Sequence, residues 1–216
     1  MKLDDLVEFA ENPEPRCPCV LLLDTSSSMG GPPIQALNKG LAMFKQNLME
    51  NDLAARRVDV AVVTFDDSVR LVNPFTAVEQ FTPPTLVAGG NTCMGAGIEM
   101  ALELVAYRKK LYREGGITYY RPWIFMITDG APTDDTDDAA LRVKDEEAHH
   151  HVAFFAVGVE GADMDKLKDI SVRAPVKLRG LRFSEMFVWL SASMQRVSQS
   201  KLGEQVALPP PGWGTV

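Results

Sequence analysis

Cysteine is scarce in this chain: three in 216 residues, at Cys17, Cys19 and Cys93. An odd count, with two thiols in one Cys-Pro-Cys triplet, builds no disulfide framework and points to a reducing compartment. With no second cysteine pair, Cys17 and Cys19 read as two thiols flanking a strand start rather than half of a metal site or a redox pair. Long apolar runs are missing too, and no stretch reaches the length a membrane-spanning helix needs. The opening, MKLDDLVEFAENPEPR, carries acids and prolines around no apolar core, which is unlike a secretory signal. A cytoplasmic protein is therefore expected. Positive charge is in deficit, 22 Lys and Arg against 29 Asp and Glu, a net −7. That balance argues against a general nucleic-acid or anionic-membrane binder and is compatible with attraction of divalent cations.

Several catalytic signatures are also absent. Gly89, Gly90, Gly95 and Gly97 have the wrong spacing for a phosphate-binding loop, and no Gly-Lys-Ser/Thr follows them. Ile124–Asp129 resembles a Walker B strand, which means little without that loop. No Gly-x-Ser-x-Gly elbow surrounds a serine, and the three histidines, His149, His150 and His151, lie far from the serines discussed below. A metal site at these histidines is possible in principle; a helix carboxyl end that favours imidazolium is the simpler reading.

What remains is an alternation of strands and helices. Strands are expected over 19–24, 58–65, 69–72, 123–128, 152–159 and 176–178. Each is a short β-branched or apolar run closed by turn residues. The second and third, separated by Asp66-Asp67-Ser68, read as a hairpin with an antiparallel edge strand. Ile34, Leu37, Leu41, Phe44 and Leu48 recur at helical steps behind Pro33, a residue suited to a first turn. Further helices are expected from Ile98 to about Tyr112, over 139–150, over 164–170, and around Phe187, Leu190, Met194 and Val197. The fold class is α/β: a doubly wound, mostly parallel sheet of about six strands with helices on both faces. Residues 1–16 form a lead-in, 17–202 the domain, and 203–216 a flexible tail in which Trp213 is either an anchor or idle.

The chain is organised around VLLLDTSSSMGG. A buried strand ends in Asp24, and Ser26 and Ser28 follow at alternate positions, with Thr25 and Ser27 facing elsewhere. A second apolar strand, WIFMIT, ends in Asp129 and Gly130. Between them Gly-Gly-Asn leads to Thr92. If the two strands are neighbours, Asp24, Ser26, Ser28, Thr92 and Asp129 face one point at the carboxyl ends of the strands, where open α/β sheets bind ligands. All five supply oxygen, the donor that Mg²⁺ prefers, and only two carry charge. Each residue alone also fits a humbler role, as a helix cap or a strand end. Asp134, Asp135, Asp137 and Asp138 crowd a helix start, where acids complement the helix dipole; a part in partner choice is the alternative.

These residues resemble the von Willebrand factor A (VWA) domain, whose metal-ion-dependent adhesion site is written Asp-x-Ser-x-Ser, then a distant Thr, then a distant Asp. The resemblance covers roughly residues 17–200. Within the family, VLLLDTSSSMGGPPI, VAVVTF and IFMITDGAPTD are similar to bacterial stand-alone members of the TerY or YegL kind, associated with tellurite-resistance and stress gene clusters. The resemblance implies a Rossmann-like fold, a Mg²⁺ or Mn²⁺ gathered by Asp24, Ser26, Ser28, Thr92 and Asp129, and a protein partner that supplies an Asp or Glu. It also implies a kinase and a phosphatase as partners. It makes the protein a non-catalytic interaction module. The alternatives are a metal-assisted phosphohydrolase, for which no positioned base is evident, and a structural subunit of a larger complex.

Overall fold

A computed structural model describes Phe9 and residues 11–215. Most of the expected lead-in lies outside the described residues. The described chain contains β1 (Cys17–Asp24), a 3₁₀ turn (Ser27–Met29), α1 (Pro32–Met49), α2 (Asp52–Arg57), β2 (Val58–Phe65), β3 (Val69–Ala77) and α3 (Met94–Glu114). β4 (Trp123–Thr128), α4 (Asp137–Ala148), β5 (Ala153–Gly158), α5 (Met164–Ile170), β6 (Val176–Leu178), α6 (Phe183–Gln199) and β7 (Gly214–Thr215) follow.

The strands form one sheet in the order β3-β2-β1-β4-β5-β6-β7. β1 runs parallel to both β2 and β4, and β5 parallel to β4 and β6. Antiparallel partners close both edges, β3 on β2 and β7 on β6. The hairpin turn is Asp66-Asp67-Ser68, as the sequence suggests, with Phe65 opposite Val69. β3 runs five residues longer than its apolar stretch because Asn73 and Pro74 sit on an edge, where a proline's missing N–H costs no ladder bond.

Side-chain alternation divides β1 between two cores. Cys17, Cys19, Leu21 and Leu23 face a cluster built with Leu37, Leu41 and Phe44 of α1 and Phe187, Leu190 and Met194 of α6. Val20 and Leu22 face the other cluster, with Ile98, Ala101 and Leu102 of α3, Val143 of α4 and Leu167 of α5. Both faces of the strands are covered, which is why their sequences are continuously apolar rather than alternating. α1 and α6 lie close because Gly40 has no side chain; a Cβ there would stand 2.3 Å from the Phe187 ring.

The later part of the stretch expected to run free as a tail is packed instead, while residues 203–205 are exposed. Trp213 is 3% exposed and sits edge-on to Trp189, with ring centroids 5.6 Å apart. The Trp189 indole N–H donates to the Pro209 carbonyl at 2.7 Å, and Arg179 N–H to the Trp213 carbonyl at 3.1 Å. The result is a seventh strand. Pro209, Pro210 and Pro211 stiffen this stretch, so ordering it costs less entropy than its lack of periodicity suggests.

Candidate functional site

β1 and β4 are adjacent, with Leu23 opposite Ile127, so their ends bring Asp24 and Thr128 side by side. β2 leaves β1 on one side and β4 lies on the other, which makes this junction the switch point of the sheet. The Asp24 carboxylate is fully buried and immobilised: its Oδ1 accepts the Ser26 N–H at 2.8 Å and its Oδ2 the Thr128 hydroxyl at 2.5 Å. The Ser26 and Ser28 hydroxyls are 3.0 Å apart, and Ser28 donates to Asp129 Oδ1 at 2.7 Å. Thr92 completes the group. A Cβ placed on Gly130 would lie 3.2 Å from Thr92 Oγ1 and 3.8 Å from Asp24 Oδ2, so both oxygens border the bare glycine. All five residues singled out in the sequence thus surround one point, although they come from three loops and 106 positions of chain.

The loops are tied to one another by the backbone. Gly89 N–H donates to the Thr25 carbonyl at 2.8 Å, Ser27 N–H to Gly90 at 3.0 Å, and Thr133 N–H to Thr92 at 2.9 Å. Thr25 faces away from the group, as its alternate position predicts, and donates its hydroxyl to Asp66 Oδ2 at 3.0 Å.

Burial pushes the Asp24 carboxyl above the usual range, against the hydrogen bonds from Ser26 and Thr128, and the Asp129 charge adds to the rise. Burial likewise raises Asp129, opposed by the Ser28 hydroxyl. Among the described residues, neither carboxylate has an ion pair with Lys, Arg or His. Two partly desolvated acids held together without a counter-charge are an unfavourable arrangement that a cation relieves. Nearby Asp66 behaves in the opposite way. Despite its desolvation, Arg70, Ser68 and Thr25 hold its carboxyl below the usual range.

Two contributors escape sequence reading. Thr128 reads as the last residue of an apolar strand, yet it is the hydroxyl that clamps Asp24. Asp134 reads as part of the acidic start of α4. Its carboxylate instead accepts the N–H groups of Gly95 (3.1 Å) and Ala96 (2.9 Å), capping α3 just past Thr92. At the α4 start itself, Asp135 accepts the Asp137 N–H at 2.9 Å, and Asp137 and Asp138 stand in the first turn, as expected of acids beside a helix dipole. The histidines lie elsewhere: His149 pairs with Asp145 and His151 with Glu146. Among the described residues no cluster of three or more His, Cys, Asp or Glu is arranged to hold a metal, which leaves the hydroxyl-rich group as the candidate.

The model of the von Willebrand factor type A domain matches residues 19–178. The chain belongs to this family. Solved structures with the same fold include proximal thread matrix protein 1 from the mussel byssus with a zinc-occupied MIDAS motif. It has a TM-score of 0.59 at 16% identity, over 84% of this chain and 48% of that one. The ArnB paralog VWA2 from Sulfolobus acidocaldarius gives 0.56 at 16%, over 83% and 45%. The pilus adhesin SpaC from Lactobacillus rhamnosus GG gives 0.67 at 13%, over 87% and 31%. This VWA domain therefore spans less than half the length of each of these chains. No curated protein matches at a significant level. Among the described residues, no helix of the VWA domain is long and apolar enough to cross a membrane.

Proposed function

We propose that Asp24, Ser26, Ser28, Thr92 and Asp129 hold a Mg²⁺ or Mn²⁺ and that the domain binds a partner protein through an Asp or Glu of that partner. The observation that supports this most is the pair of buried carboxylates, joined by hydroxyls and lacking any basic partner among the described residues. The donors fit a hard divalent cation, being all oxygen and bearing two negative charges. Bound there, the ion would supply the positive centre that a partner's carboxylate completes. Thr128 keeps Asp24 fixed, Ser28 orients Asp129, and the Gly89–Gly90 loop holds the serine segment against the sheet.

The module is read as non-catalytic. Asp66, a neighbouring carboxylate, is engaged by Arg70 and Thr25 rather than free to act as a base. The segments quoted above resemble the TerY or YegL kind, which supports reading the domain as one of that kind. That reading carries with it a cytoplasmic, bacterial setting in stress or tellurite resistance, with a kinase and a phosphatase as candidate partners.

Titration calorimetry with Mg²⁺ tests the first part. Asp24→Asn and Asp129→Asn should each abolish binding, and an unchanged affinity in either variant would overturn the assignment. Capture of partners from the native host in Mg²⁺, and their loss in EDTA, tests the second. Turnover of a generic phosphate ester that requires Asp24 would replace the binding module with a hydrolase.

A further inference from the structure

A cleft lies at the other end of the sheet. Its volume is about 810 Å³, within the range of small-molecule sites. Its floor includes Trp123 and Ala153, the first residues of β4 and β5. Asp129 follows the far end of β4, so about 20 Å of strand separates this cleft from the candidate metal site.

The cleft is basic in an acidic protein. Lys109, Arg121 and Arg173 line it, against one acid, Glu204. Beneath them, Arg121 and Arg173 share the single buried carboxylate of Glu147. Arg173 Nη1 touches Glu147 Oε1, Arg121 Nη2 lies 4.0 Å from that same oxygen, and the Phe154 N–H also donates to it. Two guanidiniums on one carboxylate leave a positive excess facing the cavity. Arg121 is further fixed by donating Nε to the Val152 carbonyl at 2.6 Å. Lys109 reaches over the rim and donates to the His151 carbonyl at 3.4 Å, while His151 itself pairs with Glu146. Burial and the neighbouring Arg113 both disfavour the Lys109 ammonium, against the pull of Glu146.

The walls are aromatic as well. Tyr119, Trp123 and Phe155 line the cavity, with the Trp123 and Phe155 rings 4.5 Å apart at their centroids. His150 forms part of the same wall in the left-handed conformation, φ 57°, and is the only non-glycine residue with positive φ among those described. Glycine would adopt that conformation without strain.

We infer that this cleft binds an organic phosphate carrying a flat aromatic ring, a ligand of the mononucleotide class. The phosphate would lie against the Lys109 ammonium and the planar guanidiniums of Arg121 and Arg173, groups that pair with phosphate oxygens. The ring would lie against the aromatic wall. The glycines at residues 89–97 take no part. This site reads phosphate with side chains rather than with a loop's backbone, which explains why no nucleotide motif announces it.

The experiment is calorimetric titration of the full chain with AMP, adenosine, inorganic phosphate and an acidic peptide, all in EDTA. Without divalent metal, no phosphate can be held by an ion at the opposite end, so failure of this proposal and failure of the metal assignment are distinguishable. One saturable AMP site is expected, with adenosine and inorganic phosphate each at least tenfold weaker. Lys109→Gln and Arg173→Gln should each weaken AMP at least tenfold. The half-exposed Lys109 is the safer of the two for folding, and an unchanged melting curve verifies that variant. AMP no tighter than inorganic phosphate, preference for the acidic peptide, or full AMP affinity in Lys109→Gln would overturn the proposal.

Discussion

At the scale of single residues, burial sets the chemistry of Asp24 and Asp129. Each carboxylate is costly to keep ionised without a counter-charge. Replacing either with Asn removes that cost while keeping most of the shape. Asp24→Asn and Asp129→Asn should therefore leave thermal stability without metal equal to or above that of the parent. Both should lose the rise in Tm that Mg²⁺ produces in the parent, and parallel melting curves with Mg²⁺ and EDTA measure both effects. The thiols obey the same rule in a higher pH window. Burial pushes Cys19 from 9.0 up to about 12, and it drives Cys17 upward too, helped by Cys19 and Asp59. Above pH 9 the unfolded chain releases these protons and the folded chain keeps them. Stability is thus complete below pH 9 and falls as pH rises towards 12, by about 1.4 kcal/mol per pH unit for each thiol. Denaturant midpoints measured from pH 8 to 11 should show this slope, and Cys19→Ala should make it shallower.

At the scale of elements, the site depends on how helices and loops are fastened. α3 begins two residues after Thr92, and its first N–H groups are satisfied by Asp134 from the loop after β4. This contact joins the two loops that bring Thr92 and Asp129 together. Asp134→Ala should cost about 1 kcal/mol of stability, as the loss of a cap does. It should also weaken Mg²⁺ binding although Asp134 is not proposed as a ligand; chemical denaturation and calorimetry read the two effects separately. On the opposite face α6 leans on α1 through the gap at Gly40. Gly40→Ala would press on the Phe187 ring and should cost about 1–3 kcal/mol, seen as a lower urea midpoint. Most of these elements are legible in the chain itself, because a strand buried on both faces must be continuously apolar and an amphipathic helix must repeat at 3.6. The exceptions are instructive. β3 exceeds its apolar run because an edge strand tolerates polar residues and proline. The end of the chain looked structureless because a two-residue strand and a proline-stiffened turn have no period to detect.

At the scale of the whole molecule, a buried ionic cluster secures the end of the sheet remote from the candidate metal site. Asp59 of β2 is fully buried and accepts from Arg16 (3.2 Å), Arg108 (2.8 Å) and the Tyr112 hydroxyl (2.5 Å). It ties the start of the domain to β2 and α3. Asp59→Ala would remove the carboxylate that two buried guanidiniums share and should destabilise by about 3–5 kcal/mol. Calorimetric unfolding should show that loss in one cooperative transition.

The sequence by itself determined the α/β alternation, the two strands that end in acid, and the oxygen donors to test, because these depend on hydrophobic period and on residue type. Only the tertiary structure decided that β1 and β4 are neighbours, that Thr128 and Asp134 serve the site, and that Lys109, Arg121 and Arg173 converge on one cleft. Those facts rest on contacts between residues distant in the chain, and proximity across a fold leaves no periodic trace in the order of its residues.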